Sequence, residues 1–164
     1  MERKKNSTFD KAFKCKNQFA TLEEFYLFDL RLLNYITKKN MKVIFIIGTG
    51  SFIGGVFRYL LSLWIQAKTT SQFPLPTLIV NIIGCFFVGI VIGIFDKGQI
   101  SNEWKLFFAT GILGGFTTFS AFSNETIMLF REGQVSYALL YILASIILGL
   151  LATYMAYMLT TINR

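Results

Sequence analysis

Residues 111–126 read Gly111-Ile112-Leu113-Gly114-Gly115-Phe116-Thr117-Thr118-Phe119-Ser120-Ala121-Phe122-Ser123-Asn124-Glu125-Thr126. The stretch sits inside a hydrophobic segment long enough to cross a bilayer, yet it is rich in residues that weaken a helix. Gly111, Gly114 and Gly115 lack a Cβ, and Thr117 and Thr118 are β-branched with hydroxyls that compete for backbone hydrogen bonds. Two readings are open. In one, the helix is continuous and its small residues let a neighbour pack closely. In the other, the helix is interrupted, which hydrocarbon tolerates only where protein buries the unwound backbone or where it lines a cavity or ion site. The continuation favours the second. Phe119 and Phe122 are three apart, as are Ser120 and Ser123, which places two rings on one helical face and two hydroxyls beside them. An aromatic, hydroxylated and uncharged stripe is suited to line a narrow path for a small ion.

The rest of the chain agrees with a membrane setting. Hydrophobic residues make up 54% of the 164 residues, more than a soluble domain of this size carries. The net charge of +7 is not a nucleic-acid signal once mapped: residues 1–40 hold nine Lys/Arg against five Asp/Glu, and residues 41–164 hold seven against four. No basic groove results, so nucleic acid is not an expected partner. The absence of histidine removes imidazole bases, Ser-His and Cys-His pairs and most zinc sites, and an enzyme is not expected. Cys15 and Cys85 have no metal spacing and are poor disulfide candidates, with Cys85 read as a small packing residue.

Residues 1–40 form a basic extension distinct from the body, residues 41–164. Arg3, Lys4, Lys5, Lys11, Lys14 and Lys16 open it, and Leu22 to Ile36 follows as a candidate amphipathic surface helix. It lacks the apolar core and cleavage site of a signal peptide. Met41-Lys42, directly before an apolar span, also reads as a native start, which would make the extension a product of an upstream start codon. Four spans follow, near Val43–Ile65, Thr77–Phe95, Leu106–Phe130 and Tyr137–Leu159, each close to the ~20 residues that cross hydrocarbon. The fold class is therefore all-α, with four transmembrane helices in the lipid bilayer. Four spans leave both termini on one side. With those ends inside, Lys42, Lys97, Lys105 and Arg164 oppose Lys68 and Arg131, a bias feeble enough for insertion both ways round.

Polar residues within the spans carry the functional candidates. Arg58 follows Gly50, Gly54 and Gly55; it either snorkels to the interface, tethers a loop or helix end, or attracts anions into a vestibule. Thr77 and Asn81 lie one turn apart with Gly84 continuing their face. Asn81 is either interhelical glue or a source of two amide donors for an anion stripped of water. Gly89 and Gly93 read as packing residues. Tyr141, Ser145, Gly149 and Thr153 share a face of the fourth span. Glu125 is either a solvated vestibule carboxylate or an element that positions the ion path.

Three motifs together resemble a known family. Gly50-x-x-x-Gly54-x-x-x-Arg58-Tyr59, Thr77-Leu-x-Val80-Asn81-x-x-Gly84, and Gly114-Gly-x-Thr117-Thr-Phe-Ser-x-Phe-Ser-Asn-Glu125 are similar to those of the small fluoride channels, Fluc (also called CrcB). The resemblance covers residues 41–164 and departs at Gly55, often alanine in the family, and at Ala121, often threonine. It implies a third helix broken near its middle and an antiparallel dual-topology homodimer with two fluoride pores. By the same resemblance, Phe119 and Phe122 are the pore phenylalanines, Asn81 and Ser120 belong to the polar lining, and Tyr141 and Ser145 form a polar track on the fourth helix. Gly114 and Thr117 would give backbone carbonyls to a structural Na+. Passive export of fluoride across the bacterial inner (plasma) membrane is the activity implied. The alternative is a small multidrug-type, proton-coupled antiporter of four helices, which needs a membrane-embedded acid where the first span has Arg58.

Overall fold

The computed structural model describes residues 40–162 together with Leu30, Leu33 and Thr37. The basic start, and most of the 22–36 segment read as a surface helix, lie outside the described residues. The chain divides into a unit of residues 1–42 and one of residues 43–164. The second is helical throughout, among the described residues, apart from its short connections.

Helix α1 is Asn40–Lys68 and α2 is Leu75–Asp96. The third span, Asn102–Arg131, comprises α3, residues 102–116, and α4, Phe119–Arg131. The last helix, α5, is Val135–Thr161. Four spans are thus long and apolar enough to cross a membrane, as expected. Each runs a few residues beyond its expected bounds, because hydropathy marks only the hydrocarbon layer while the helix continues through charged residues such as Lys42, Lys68 and Asp96 into the interface. Sequence signals mark the ends. Pro74 and Pro76 open α2, where missing N–H groups cost least. Gly98 and Gly133, with φ of 69° and 74°, turn the chain after α2 and α4 in the left-handed region where a side chain is strained.

Helix α3 starts with one α-helical turn, Asn102–Lys105, and widens to π-helical geometry over Leu106–Leu113 before the closing turn Gly114–Phe116. It lies against α1 backbone to backbone. A Cβ on Gly50 would meet the Phe107 carbonyl and the Gly111 Cα, one on Gly54 the Ile112 carbonyl, and one on Gly115 the Ser51 backbone. Helices α2 and α5 pair extensively, with Gly89 against Thr153 and Ala156, and Gly93 against Thr160. Without a hydrophobic force between helices in lipid, such close approach supplies the dispersion contacts that hold them. The buried centre is small: Leu78, Leu129, Ala138 and Tyr141, flanked by Phe73, Ile82 and Phe122. Large apolar side chains such as Phe52, Trp64 and Leu150 point outward, the distribution expected when the solvent is lipid.

The glycines of α1 differ in a way that spacing alone does not reveal. Gly54 has backbone directly in the way of a side chain, whereas Gly55 faces open space. Gly54→Ala is expected to lower stability by about 1–3 kcal/mol, the usual range for overpacking, while Gly55→Ala is expected to be neutral. Thermal unfolding of the two purified variants in one detergent checks this. Equal midpoints would show that the α1–α3 contact can relax.

Candidate functional site

The site begins with two residues of extended backbone. Thr117 (φ −83°, ψ 154°) and Thr118 (φ −146°, ψ 114°) separate Phe116, the last residue of α3, from Phe119, the first of α4. Extended backbone turns the N–H and C=O of one residue to the same side, where a helix cannot satisfy them. Asn81 of α2 takes both. Its Oδ1 accepts from the Thr118 N–H at 2.8 Å, and its Nδ2 donates to the Thr118 carbonyl at 3.1 Å. The side-chain amide thereby acts as a one-residue strand partner. Thr118 caps α4 with its own hydroxyl, which accepts from the Ala121 N–H at 3.2 Å.

These bonds have a consequence for the carbonyls behind them. In an uninterrupted helix the N–H groups of Thr118 and Ala121 would go to the carbonyls of Gly114 and Thr117. Both hydrogens are spent elsewhere, on Asn81 and on the Thr118 hydroxyl. The carbonyls of Gly114 and Thr117 are therefore left without their helical donors. Gly114 is exposed, and a Cβ there would meet only the Ala109 carbonyl at 3.8 Å.

The two phenylalanines are neighbours, with centroids 5.5 Å apart, but their surroundings differ. Phe122 is half-buried and tilts against Tyr141 at 5.1 Å, whereas Phe119 is 79% exposed. Beside them runs a groove of about 310 Å³, lined by Asn81, Cys85, Thr117, Phe122, Ser145 and neighbours. The Ser145 hydroxyl is buried and has no hydrogen-bond partner among the described residues. Asn81 Nδ2 has a second hydrogen beyond the one given to Thr118. The groove thus holds neutral donors and aromatic surface, and no charged side chain is among the residues that line it.

Glu125 and Tyr141 lie one step further along. The Glu125 carboxylate accepts from Thr77 through Oε1 and from Tyr141 through Oε2, each at 2.6 Å. Tyr141 is wholly buried and Thr77 nearly so. Helix α2 therefore grips α4 and its entry twice, through Thr77 and, one turn on, through Asn81. Of the residues singled out from sequence, Asn81, Thr117, Phe119, Phe122 and Ser145 come together at the groove. Ser120 stands at its edge, 3.1 Å from the Thr118 hydroxyl. Tyr141 is engaged with Glu125 rather than placed beside Ser145 as a free hydroxyl. Arg58, half-buried on α1, takes no part in lining the groove. Two features were not foreseen: Thr77 as a partner of Glu125, and Thr118 as a cap. The second had a signal, since Thr before Phe-Ser-Ala is a good N-cap residue.

The profile of the family described as "CrcB-like protein, Camphor Resistance (CrcB)" matches residues 45–157, which hold nearly all of the four spans and the whole site. The chain belongs to the CrcB-like family. Among its relatives in that family is a protein of Azobacteroides pseudotrichonymphae, 46% identical over 125 residues, which cover 73% of this chain and 97% of the relative. A Flavobacterium psychrophilum protein is 45% identical over 70% of this chain and 93% of its own length. One from Thermus thermophilus is 42% identical over 68% and 88%. Each is named fluoride-specific ion channel FluC. Together with its four apolar spans, CrcB-like membership makes this chain a multi-pass protein of the bacterial inner membrane.

Proposed function

We propose that the chain is a passive fluoride channel, and not an enzyme, that lets cytoplasmic fluoride leave down its electrochemical gradient. The observation that carries this is the groove beside Thr117 and Thr118, in a chain so similar to proteins named as fluoride channels. Fluoride holds its water tightly, so a path for it must offer hydrogen-bond donors in exchange. Asn81, Ser120 and Ser145 supply such donors, and the ring edges of Phe119 and Phe122 add partial positive charge. A full cation would trap the ion, whereas several weak sites let it enter and leave.

The finer architecture belongs to the same proposal. The extended backbone at Thr117 and Thr118 is a deliberate break in the third helix, and the protein works as an antiparallel dual-topology homodimer with two pores. The feeble charge bias supports insertion both ways, and the outward Phe119 is a ring that a second copy would cover. The freed carbonyls of Gly114 and Thr117 fit a hard cation that prefers oxygen, and these two residues would hold a structural Na+. Bound there, it would supply positive charge to carbonyls that hydrocarbon would otherwise leave bare. Tyr141 and Ser145 extend the polar track on α5. The antiporter alternative has no support from the relatives, and Glu125, a carboxylate within the third span, has both oxygens engaged.

Purified protein in liposomes loaded with fluoride or chloride tests the reading directly. Fluoride efflux, followed with an ion-selective electrode, is expected to exceed chloride efflux by at least about a hundredfold, the ratio that a difference of ~3 kcal/mol between the two ions would produce. Equal rates would overturn the selectivity claim, and no efflux of either would overturn the channel.

A further inference from the structure

The hydrogen bonds of the site converge on Thr118, which enters the motif only as a helix weakener. We propose that Thr118 is a positioning residue of the anion path: its hydroxyl aims that of Ser120, while its peptide, held by Asn81, fixes where that hydroxyl stands. The inference rests on the channel reading above.

The peptide comes first. Its N–H and C=O are both held by one amide, at 2.8 and 3.1 Å. A flipped Asn81 would set donor against donor and acceptor against acceptor, so the amide has one orientation. In that orientation one Nδ2 hydrogen is spent on Thr118, and the other points away from it. Thr118 is therefore anchored to α2 through its backbone, and its side chain is free to act on α4.

The hydroxyl does two things. Its oxygen accepts the Ala121 N–H at 3.2 Å, and it lies 3.1 Å from Ser120 Oγ. The contact between the two hydroxyls fits either direction of donation; in the proposed arrangement Thr118, whose oxygen already serves the cap, is the donor to Ser120 Oγ. Ser120 then accepts from Thr118, and its own hydrogen is turned outward, available to an anion. Serine hydroxyls on helices otherwise tend to fold back onto the carbonyl of the preceding turn. Contact with Thr118, which lines the groove, keeps the Ser120 oxygen 3.1 Å from the Thr118 hydroxyl.

The test is a double-mutant cycle read as initial fluoride efflux per assembled protein. Thr118→Val keeps the shape and removes the hydroxyl, Thr118→Ser keeps the hydroxyl, and Ser120→Ala removes the aimed donor. Losing one directed hydrogen bond should slow efflux about tenfold in Thr118→Val, with Thr118→Ser close to wild type because serine caps and donates equally well. The double variant, Thr118→Val with Ser120→Ala, should be no slower than Ser120→Ala alone, since the aimed donor is already gone and the cap that the valine also removes does not touch the anion. A merely structural loss of the cap would slow both backgrounds by the same factor. Wild-type efflux in Thr118→Val, a Thr118→Ser as slow as the valine, or losses that multiply would each overturn the proposal while leaving the channel intact. Absence of fluoride efflux from wild type would overturn the channel reading and this inference with it. Elution volume is measured for each variant, and Thr118→Ala, with no methyl to accommodate, replaces the valine in the cycle if that variant elutes differently.

Discussion

Replacing Asn81 with aspartate is expected to abolish fluoride efflux while leaving a protein that still elutes as the wild type does. The two side chains have the same shape, and the aspartate oxygen can still accept from the Thr118 N–H. The amide donor is lost, however, and with it the bond to the Thr118 carbonyl and the amide's second hydrogen. In their place stands a carboxylate beside the path of an anion. Two like charges 4 Å apart repel by about 4 kcal/mol at an effective dielectric constant of 20, which corresponds to roughly a thousandfold in rate. Efflux within tenfold of wild type would mean that Asn81 serves the backbone of α3 and α4 only, and that the ion passes elsewhere.

Glu125→Ala is expected to be the most destabilising single change at the site. The carboxylate is the acceptor for two hydroxyls at 2.6 Å, from a buried Thr77 and a wholly buried Tyr141. Removing it strands both donors where water cannot replace it, at a cost of roughly 1–3 kcal/mol each. Helices α2 and α5 would lose their shared partner on α4 in one step. Glu125→Gln should fall between, since the amide can accept from one hydroxyl but turns a donor toward the other. The check is the thermal midpoint in detergent, in the order wild type, glutamine, alanine. An alanine variant as stable as the wild type would show that Glu125 is not a staple between helices.

The spans were legible because they depend on chain chemistry that is local. About twenty apolar residues in a row have one economical environment, and Pro74, Pro76, Gly98 and Gly133 mark ends through their own backbone limits. The extended backbone at Thr117 and Thr118 falls among the glycines and β-branched residues that weaken a helix there. Packing glycines were legible as a class, but not one by one: a side chain on Gly54 would run into backbone and one on Gly55 would meet nothing, although both lie in one motif.

The partners were not legible. Asn81 and Thr118 are 37 residues apart, and Thr77 and Glu125 are 48 apart. Whether such pairs meet depends on how far each helix is rotated and slid against its neighbours, which the close approach of Gly50, Gly54 and Gly89 sets. Residue types alone left Asn81 as glue or anion donor and Glu125 as vestibule or path. Packing made Asn81 the partner of a backbone segment with one hydrogen to spare, and it made Glu125 the acceptor for two helices. Local composition can select a helix, an end or a weak point, because those are energies of a few adjacent residues. A polar group's partner in a bilayer is the joint outcome of several helices finding one arrangement that leaves the fewest such groups bare.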